Sequence, residues 1–313
     1  MITDFQKLSE RDSEPIISTI SNINKNNIST FDFFKCLLNL RILLKKNNFT
    51  SRQRRNILRD FIRIFLFKKL VLKDNSYENF IKKNKVPKVI IKEIESYINI
   101  DKKDVNDQIY RQNNILPKRN SNLDKWIKSE FLKEIKKYFR GVVGYKVHAR
   151  FASNNGHLKD NINNLEKDSD RFKYSYSDFH WDYALNAMPY VIYLNDVKKG
   201  DGEFKILKTS INFKQNLYLS SYDYVVSSTK GIRNSIMSNR VGSHLDIKDR
   251  KEIENDIRYF EGSKGTSIFF SGRHIIHCGG YPEKGKNRLS VFLSHKNILI
   301  AFINNITRIF DLY

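Results

Sequence analysis

The sequence predicts an α+β protein, a helical N-terminal part followed by a β-rich part, and three observations predict it. Up to about residue 140, apolar residues recur every three or four positions, the period of helices with one buried face. Beyond it they gather in short Val-, Ile-, Phe- and Tyr-rich runs separated by Gly, Asn, Asp and Lys, the pattern of strands and turns. The 313 residues, 40% apolar and 13% aromatic, are enough to build a sizeable core.

Four helices are expected in the first part. The run 31-FDFFKCLLNLRILLKKN follows Ser29 and Thr30, and 52-RQRRNILRDFIRIFLFKKLVLK follows Thr50 and Ser51, hydroxyl residues suited to capping. The run 87-PKVIIKEIESYIN begins with a proline that fits a first turn, and 122-NLDKWIKSEFLKEIKKYF has Ser121 or Asn122 as its cap. Strands are expected in 142-VVGYKVHARFAS, 188-MPYVIYLNDV, 203-EFKILK, 267-SIFFSG and 288-RLSVFLSH. The organisation is then a helical, basic region over 1–139, a β core over 140–296 with a long insertion over 211–263, and a C-terminal tail over 297–313. The polar stretch 153–178 reads as a long loop between strands.

The net charge of +22 is uneven: residues 1–150 hold 33 Lys and Arg against 16 Asp and Glu, and residues 151–313 hold 23 against 18. One reading is an electrostatic footprint for nucleic acid, an anionic membrane surface or another polyanionic partner. The other is a Lys-, Asn- and Ile-rich composition in which most lysines solvate helix surfaces. The second is favoured, because the basic stretches lack the interleaved aromatics of a single-strand-binding groove. The basic helix over 52–73 has the same two readings, and packing of its apolar stripe on a sheet, with long basic side chains covering the edges, is preferred. No apolar run reaches the length of a membrane span, MITDFQKLSERDSE has neither the basic start nor the apolar core of a secretory signal, and two cysteines do not make a disulfide framework. The expected location is the cytoplasm.

Chemistry-bearing residues concentrate in two stretches. In 179-FHWDYALNAMPYVIY, His180 and Asp182 stand two apart, so on an extended strand both point the same way. In 265-GTSIFFSGRHIIHCGGYPEKGKNRLSVFLSH, a strand, a turn and a second strand bring His277 and Arg288 towards one interior. Two histidines and a carboxylate form a facial triad that leaves three positions open on ferrous iron, enough for a bidentate cosubstrate and dioxygen. An arginine fork set deeper suits the far carboxylate of a dicarboxylate, and Ser290, two residues on, shares the strand face. His274 is the rival for the third ligand; His277 is preferred for its spacing to Arg288, eleven residues on, and because His274 sits beside Arg273 in the turn approach. Lys286 is the rival carboxylate anchor, in a turn that reads as exposed, and Cys278 reads as a small packing residue.

The order His180-Trp181-Asp182, His277, Arg288, Ser290 resembles the iron- and 2-oxoglutarate-dependent dioxygenases, most closely the phytanoyl-CoA dioxygenase-like branch, over roughly residues 140–296. The segment 193-YLNDVKKGDGEF resembles the acidic turn and glycine that follow the H-x-D strand in that branch, whereas Lys208-Thr209-Ser210 departs from its usual Gly-Ser-His. The resemblance implies a double-stranded β-helix (a cupin-like jelly roll), with Fe(II) held by His180, Asp182 and His277. It also implies 2-oxoglutarate anchored through its C5 carboxylate by Arg288 and Ser290. Retention of Asp182, which the halogenating relatives replace by a small residue, implies hydroxylation or a related oxidation, with release of succinate and carbon dioxide.

A small-molecule, lipid-derived or sugar-like substrate is the first expectation. The same chemistry on a protein or nucleic acid guided by the basic half is the second; Ser294, where DNA-repair relatives carry a second arginine, argues against that subclass. A non-catalytic jelly-roll binding protein is the third. The substrate mouth is expected in 153–178 and 211–263, the latter containing 217-LYLSSYDYVV, Arg233 and Arg240.

Overall fold

A computed structural model describes residues 15, 18, 19, 22, 23, 27–46, 51–99, 109–153, 182, 186–207, 257–275, 277–280 and 282–308. In chain order the elements are α1 (Thr30–Lys46), α2 (Ser51–Leu66) running into a wide turn at Phe67–Val71, a short 3-10 turn (Asn75–Asn79), β1 (Ile81–Lys85), α3 (Lys88–Ser96) and β2 (Ile109–Ile115). Then follow α4 (Asn122–Trp126), a wide turn (Ile127–Leu132) and α5 (Lys133–Tyr138), which together fill the fourth expected helix, then β3 (Val142–Ser153) and β4 (Tyr190–Tyr193). The remainder is β5 (Phe204–Leu207), β6 (Ile257–Phe260), β7 (Thr266–Phe270), β8 (His277–Gly279), β9 (Asn287–Asn297) and α6 (Ile298–Arg308).

Local chemistry sets the helix starts. Ser29 caps α1, its hydroxyl accepting from the Asp32 N–H at 3.0 Å and donating to the Asp32 carboxylate at 2.6 Å. Ser121, not Asn122, caps α4 by accepting from the Asp124 N–H at 3.2 Å. Asp124 is then buried between Lys128 and Tyr145, whose contacts at 2.7 Å each hold its carboxyl down to about 2.

The described strands form two antiparallel sheets, one of six strands in the order β1-β7-β4-β9-β3-β2 and one of three in the order β6-β5-β8. Two strands of the large sheet, β1 and β2, come from the span 1–139, which sequence periodicity presents as helical. The span 297–313, expected as a tail, begins with α6, whose Arg63–Asn304 hydrogen bond at 2.8 Å ties it to α2.

Alternation along the strands divides the core in two. On one face of the large sheet, Val147, Ala149, Ile192, Phe269, Val291 and Leu293 pack against apolar residues of α3 to α6. On the other, Val191, Ile268 and Phe270 meet Phe204, Ile206 and Phe260 of the small sheet. Tyr193 links the two sheets: its hydroxyl donates to the Phe260 carbonyl and accepts from the Phe204 N–H, both at 2.9 Å, and burial pushes it up to about 12. A separate apolar cluster joins α1 to α2 through Phe33, Leu40, Leu44, Phe61 and Phe65. Among the described residues, no helix is long and apolar enough to cross a membrane.

Buried histidines make the fold acid-sensitive. His295 accepts a hydrogen bond from Asn186 at 2.8 Å and stacks on Phe139, and burial pushes it down to about 4. Burial likewise pushes His274 from 6.5 down to about 3. The unfolded chain protonates these imidazoles near pH 6.5 and the folded one only near 4 and 3, so the unfolded state binds more protons in between. Stability is full above the unfolded value and falls as pH drops through this window. The unfolding free energy is expected to fall between about pH 7.5 and about pH 5 by an amount on the order of 1–3 kcal/mol, read as a lower urea midpoint, with a shallower fall in His295→Gln. A midpoint unchanged over that range contradicts this.

Candidate metal and carboxylate site

Asp182 is placed by the turn after β7. Its N–H donates to the Gly272 carbonyl at 2.6 Å, and the Gly272 N–H donates to the Ala187 carbonyl at 2.9 Å. A Cβ at Gly272 would overlap the Asp182 carboxylate, so only glycine lets that carboxylate lie against the turn. Gly272→Ala is expected to displace it and to weaken Mn(II) binding, followed by calorimetry, about 10- to 100-fold. Wild-type affinity in that variant contradicts the placement.

His277 opens β8 and is 5% exposed, with its ring against Phe270 and Phe204 at centroid distances of 4.6 and 5.6 Å. Nδ1 lies 2.8 Å from the Ile275 carbonyl, which only accepts, so Nδ1 carries the proton and Nε2 of the neutral ring keeps its lone pair. That Nε2 lies 3.9 Å from Oδ2 of Asp182. Two metal–ligand bonds of about 2.1 Å can span that separation, so one ion fits between them.

His180, the remaining expected ligand, lies outside the described residues, as do Trp181, Arg233, Arg240, 217-LYLSSYDYVV and residues 154–178 of the expected mouth. Among the described residues, no three of His, Cys, Asp or Glu converge.

His274 is placed elsewhere. It is 6% exposed, its Nδ1 is 3.0 Å from the Ser271 hydroxyl, and its ring meets Tyr77 edge-on at 5.0 Å, against the helical layer. Cys278 is fully buried and alternates away from His277 along β8.

The residues expected to anchor a carboxylate lie on β9. Arg288 is 6% exposed; its Nη1 donates to the Gly202 carbonyl, and its guanidinium lies so near Gly279 of β8 that a Cβ there would come within 3.1 Å of Nη2. Among the described residues, its buried Nε has no hydrogen-bond partner and no carboxylate comes within ion-pair distance of it. Burial lowers its proton affinity, while Tyr193, Cys278 and Glu203 raise it; a guanidinium stays charged even so. Glu203 is engaged elsewhere, accepting from the Gly200 N–H at 2.9 Å and facing Lys205 at 3.5 Å. A buried charge in this state calls for an anion. Gly279, beside the guanidinium, is two residues from His277 on one face of β8, about 7 Å along the strand.

Ser290, fully buried, shares the face of Arg288, opposite Arg150 on β3 and Tyr193 on β4. Lys286 sits at the rim, 2.9 Å from Glu283 and 3.1 Å from the Lys199 carbonyl, in an exposed cluster.

Motif reading passes over the residues that support this arrangement. Gly202, Gly272 and Gly279 matter because backbone there meets Arg288 or Asp182, which a sequence does not display. Arg150, His148 and Phe292 were accessible by a period of two from Ser290 and across the β3–β9 register. They share its face, with the Arg150 guanidinium 4.3 Å over the Phe292 ring and His148 stacked on the same ring at 5.1 Å.

No protein-family model matches the sequence, and no curated protein matches it. Among solved structures, the chain is similar to HygX from Streptomyces hygroscopicus with nickel, 2-oxoglutarate and hygromycin B bound, at 9% identity and a TM-score of 0.35 over 72% of this chain and 88% of that one. It is similar to the non-heme alpha-ketoglutarate-dependent carbocyclase SnoK from nogalamycin biosynthesis, at 8% identity and a TM-score of 0.34 over 72% of this chain and 84% of that one. Similarity to EvdMO1, at 12% identity and a TM-score of 0.39 over 71% of this chain, spans 48% of that protein's length. Likeness at these values assigns neither a family nor a substrate.

Proposed function

We propose that the chain is an Fe(II)- and 2-oxoglutarate-dependent dioxygenase that hydroxylates a small-molecule, lipid-derived or sugar-like substrate, with its two sheets as the halves of a double-stranded β-helix. The observation that carries this reading is Arg288, a buried guanidinium whose Nε has no partner among the described residues, on the same sheet sandwich as the His277–Asp182 pair. The order of the residues along the chain supports it through the resemblance to the phytanoyl-CoA dioxygenase-like branch.

Asp182 and His277, with His180, would hold the iron, and Arg288 with Ser290 the distal carboxylate of 2-oxoglutarate. When bound, the pair supplies dioxygen activation and the oxidation of a substrate C–H bond, with succinate and carbon dioxide released. The Ile275 carbonyl holds the proton of a neutral His277 ring on Nδ1, which puts the lone pair on Nε2. Gly272 leaves room for the Asp182 carboxylate, and Tyr193 clamps the sheets beside Arg288. Phe204, Phe270 and Phe292 keep the walls apolar, which limits water and strengthens the pairing of Arg288 with an anion. Arg150 and His148, on the same face, are placed to orient a polar substrate group.

Calorimetric titration of 2-oxoglutarate into the protein, with and without Mn(II), tests this reading. Binding that requires the metal is expected, followed by succinate formation with Fe(II) and a matching substrate. Absence of 2-oxoglutarate binding in both conditions contradicts it.

A further inference from the structure

Helix α1 carries large apolar side chains on the face turned away from its own core. Phe33, Leu40 and Leu44 are buried against α2, whereas Phe31, Phe34, Leu38 and Ile42 are 77, 51, 60 and 54% exposed. At 3.6 residues per turn these four form one continuous stripe. Lys35, Arg41, Lys45 and Lys46 are exposed on the same side of the helix and make no ion pair with other described residues. The one acidic residue of α1, Asp32, is bound to the capping Ser29 hydroxyl.

We propose that this face of α1 is a docking surface for an anionic membrane, with the apolar stripe entering the boundary between headgroups and acyl chains and the four cations meeting lipid phosphates and carboxylates. Exposed bulky residues flanked by lysine and arginine are the arrangement that such an interface rewards. Charge selects this occupant over a second copy of the chain. Two α1 faces brought together would set four cations of each against four of the other, with only the Asp32 of each helix within α1 to offset them. The overall charge of +22 has the sign that draws the protein towards such a surface.

Co-sedimentation of the full chain with phosphatidylcholine vesicles, and with vesicles containing about 30% phosphatidylserine, tests the proposal. Binding to the anionic vesicles is expected, at least about tenfold stronger than to the neutral ones. The double variants Phe31→Ser/Phe34→Ser and Lys45→Glu/Lys46→Glu are each expected to weaken it about tenfold or more. All four side chains are exposed, so unchanged thermal unfolding shows that the fold is kept. The phenylalanine variant retains every positive charge and so separates docking by the stripe from attraction of a basic protein to any polyanion. The proposal is overturned if this variant binds like wild type, if neutral and anionic vesicles bind equally, or if nothing sediments. Salt-resistant self-association that the phenylalanine variant abolishes would also overturn it, in favour of a second copy.

Discussion

Arg288→Met is expected to abolish measurable 2-oxoglutarate binding while leaving the unliganded protein at least as stable as wild type. The two halves of this prediction share one cause. A guanidinium that is buried, charged and, among the described residues, without a partner at Nε contributes little to the stability of the fold, because its desolvation is not offset by a carboxylate of those residues. Methionine fills similar volume without the charge, and such exchanges are neutral or stabilising. With a dicarboxylate bound, the same guanidinium gains a partner in an apolar setting, and truncating one side of a buried charge pair costs about 2–5 kcal/mol, roughly 30- to several-thousandfold in affinity. Calorimetry for 2-oxoglutarate and a thermal melt without ligand read the two halves separately. A variant that melts much earlier and still binds 2-oxoglutarate would make Arg288 a structural residue.

The second large effect separates two histidines three positions apart. His277→Ala is expected to reduce metal affinity by more than the 10- to 100-fold that partners behind the metal ligands typically command, about 100-fold or more. His274→Ala is expected to leave metal affinity unchanged and to lower stability by about 1–3 kcal/mol. It loses the Ser271 hydrogen bond and the edge-on contact with Tyr77 in a closed core. Metal titration and urea unfolding of both variants show the crossed pattern. The reverse pattern, with metal affinity lost at His274, would move the third ligand.

Strands that carry both faces of the sandwich were legible as Val-, Ile-, Phe- and Tyr-rich runs bounded by turn residues. β3 coincides with the run 142-VVGYKVHARFAS, and β9 extends the run at 288 by a residue or two at each end, because each strand puts one apolar series under the helices and another set of side chains over the small sheet. β1 was not legible. Its sequence, Ile-Lys-Lys-Asn-Lys, is polar because it is an exposed edge strand whose position comes from pairing with the buried β7, and lysines at an edge discourage further pairing. β8, only His277 to Gly279, is too short for any period, and it is the strand that presents both His277 and the backbone beside Arg288. α6 was masked by its length: 298-ILIAFINNI is too short for a membrane span, and its role as a helix packed on α2 depends on contacts from far along the chain.

For the proposed site, residue type and order suggest Asp182, His277, Arg288 and Ser290, each for what its functional group would do there. The glycines and Arg150 depend on which backbone lies opposite which, and that is fixed by sheet pairing across more than a hundred residues. His180 remains an assignment from the H-x-D spacing, outside the described residues.

We propose that Asp182 and His277 hold one metal ion and that Arg288 holds the 2-oxoglutarate that chelates it. Anaerobic addition of Fe(II) and then 2-oxoglutarate tests it most directly, through the visible metal-to-ligand charge-transfer absorption that arises only when the cosubstrate chelates the iron. This band is expected in the wild-type protein and in His274→Ala, and is expected to be lost in His277→Ala and Arg288→Met at matched 2-oxoglutarate concentration. A wild-type protein with no band, or a band that survives in His277→Ala, would contradict it.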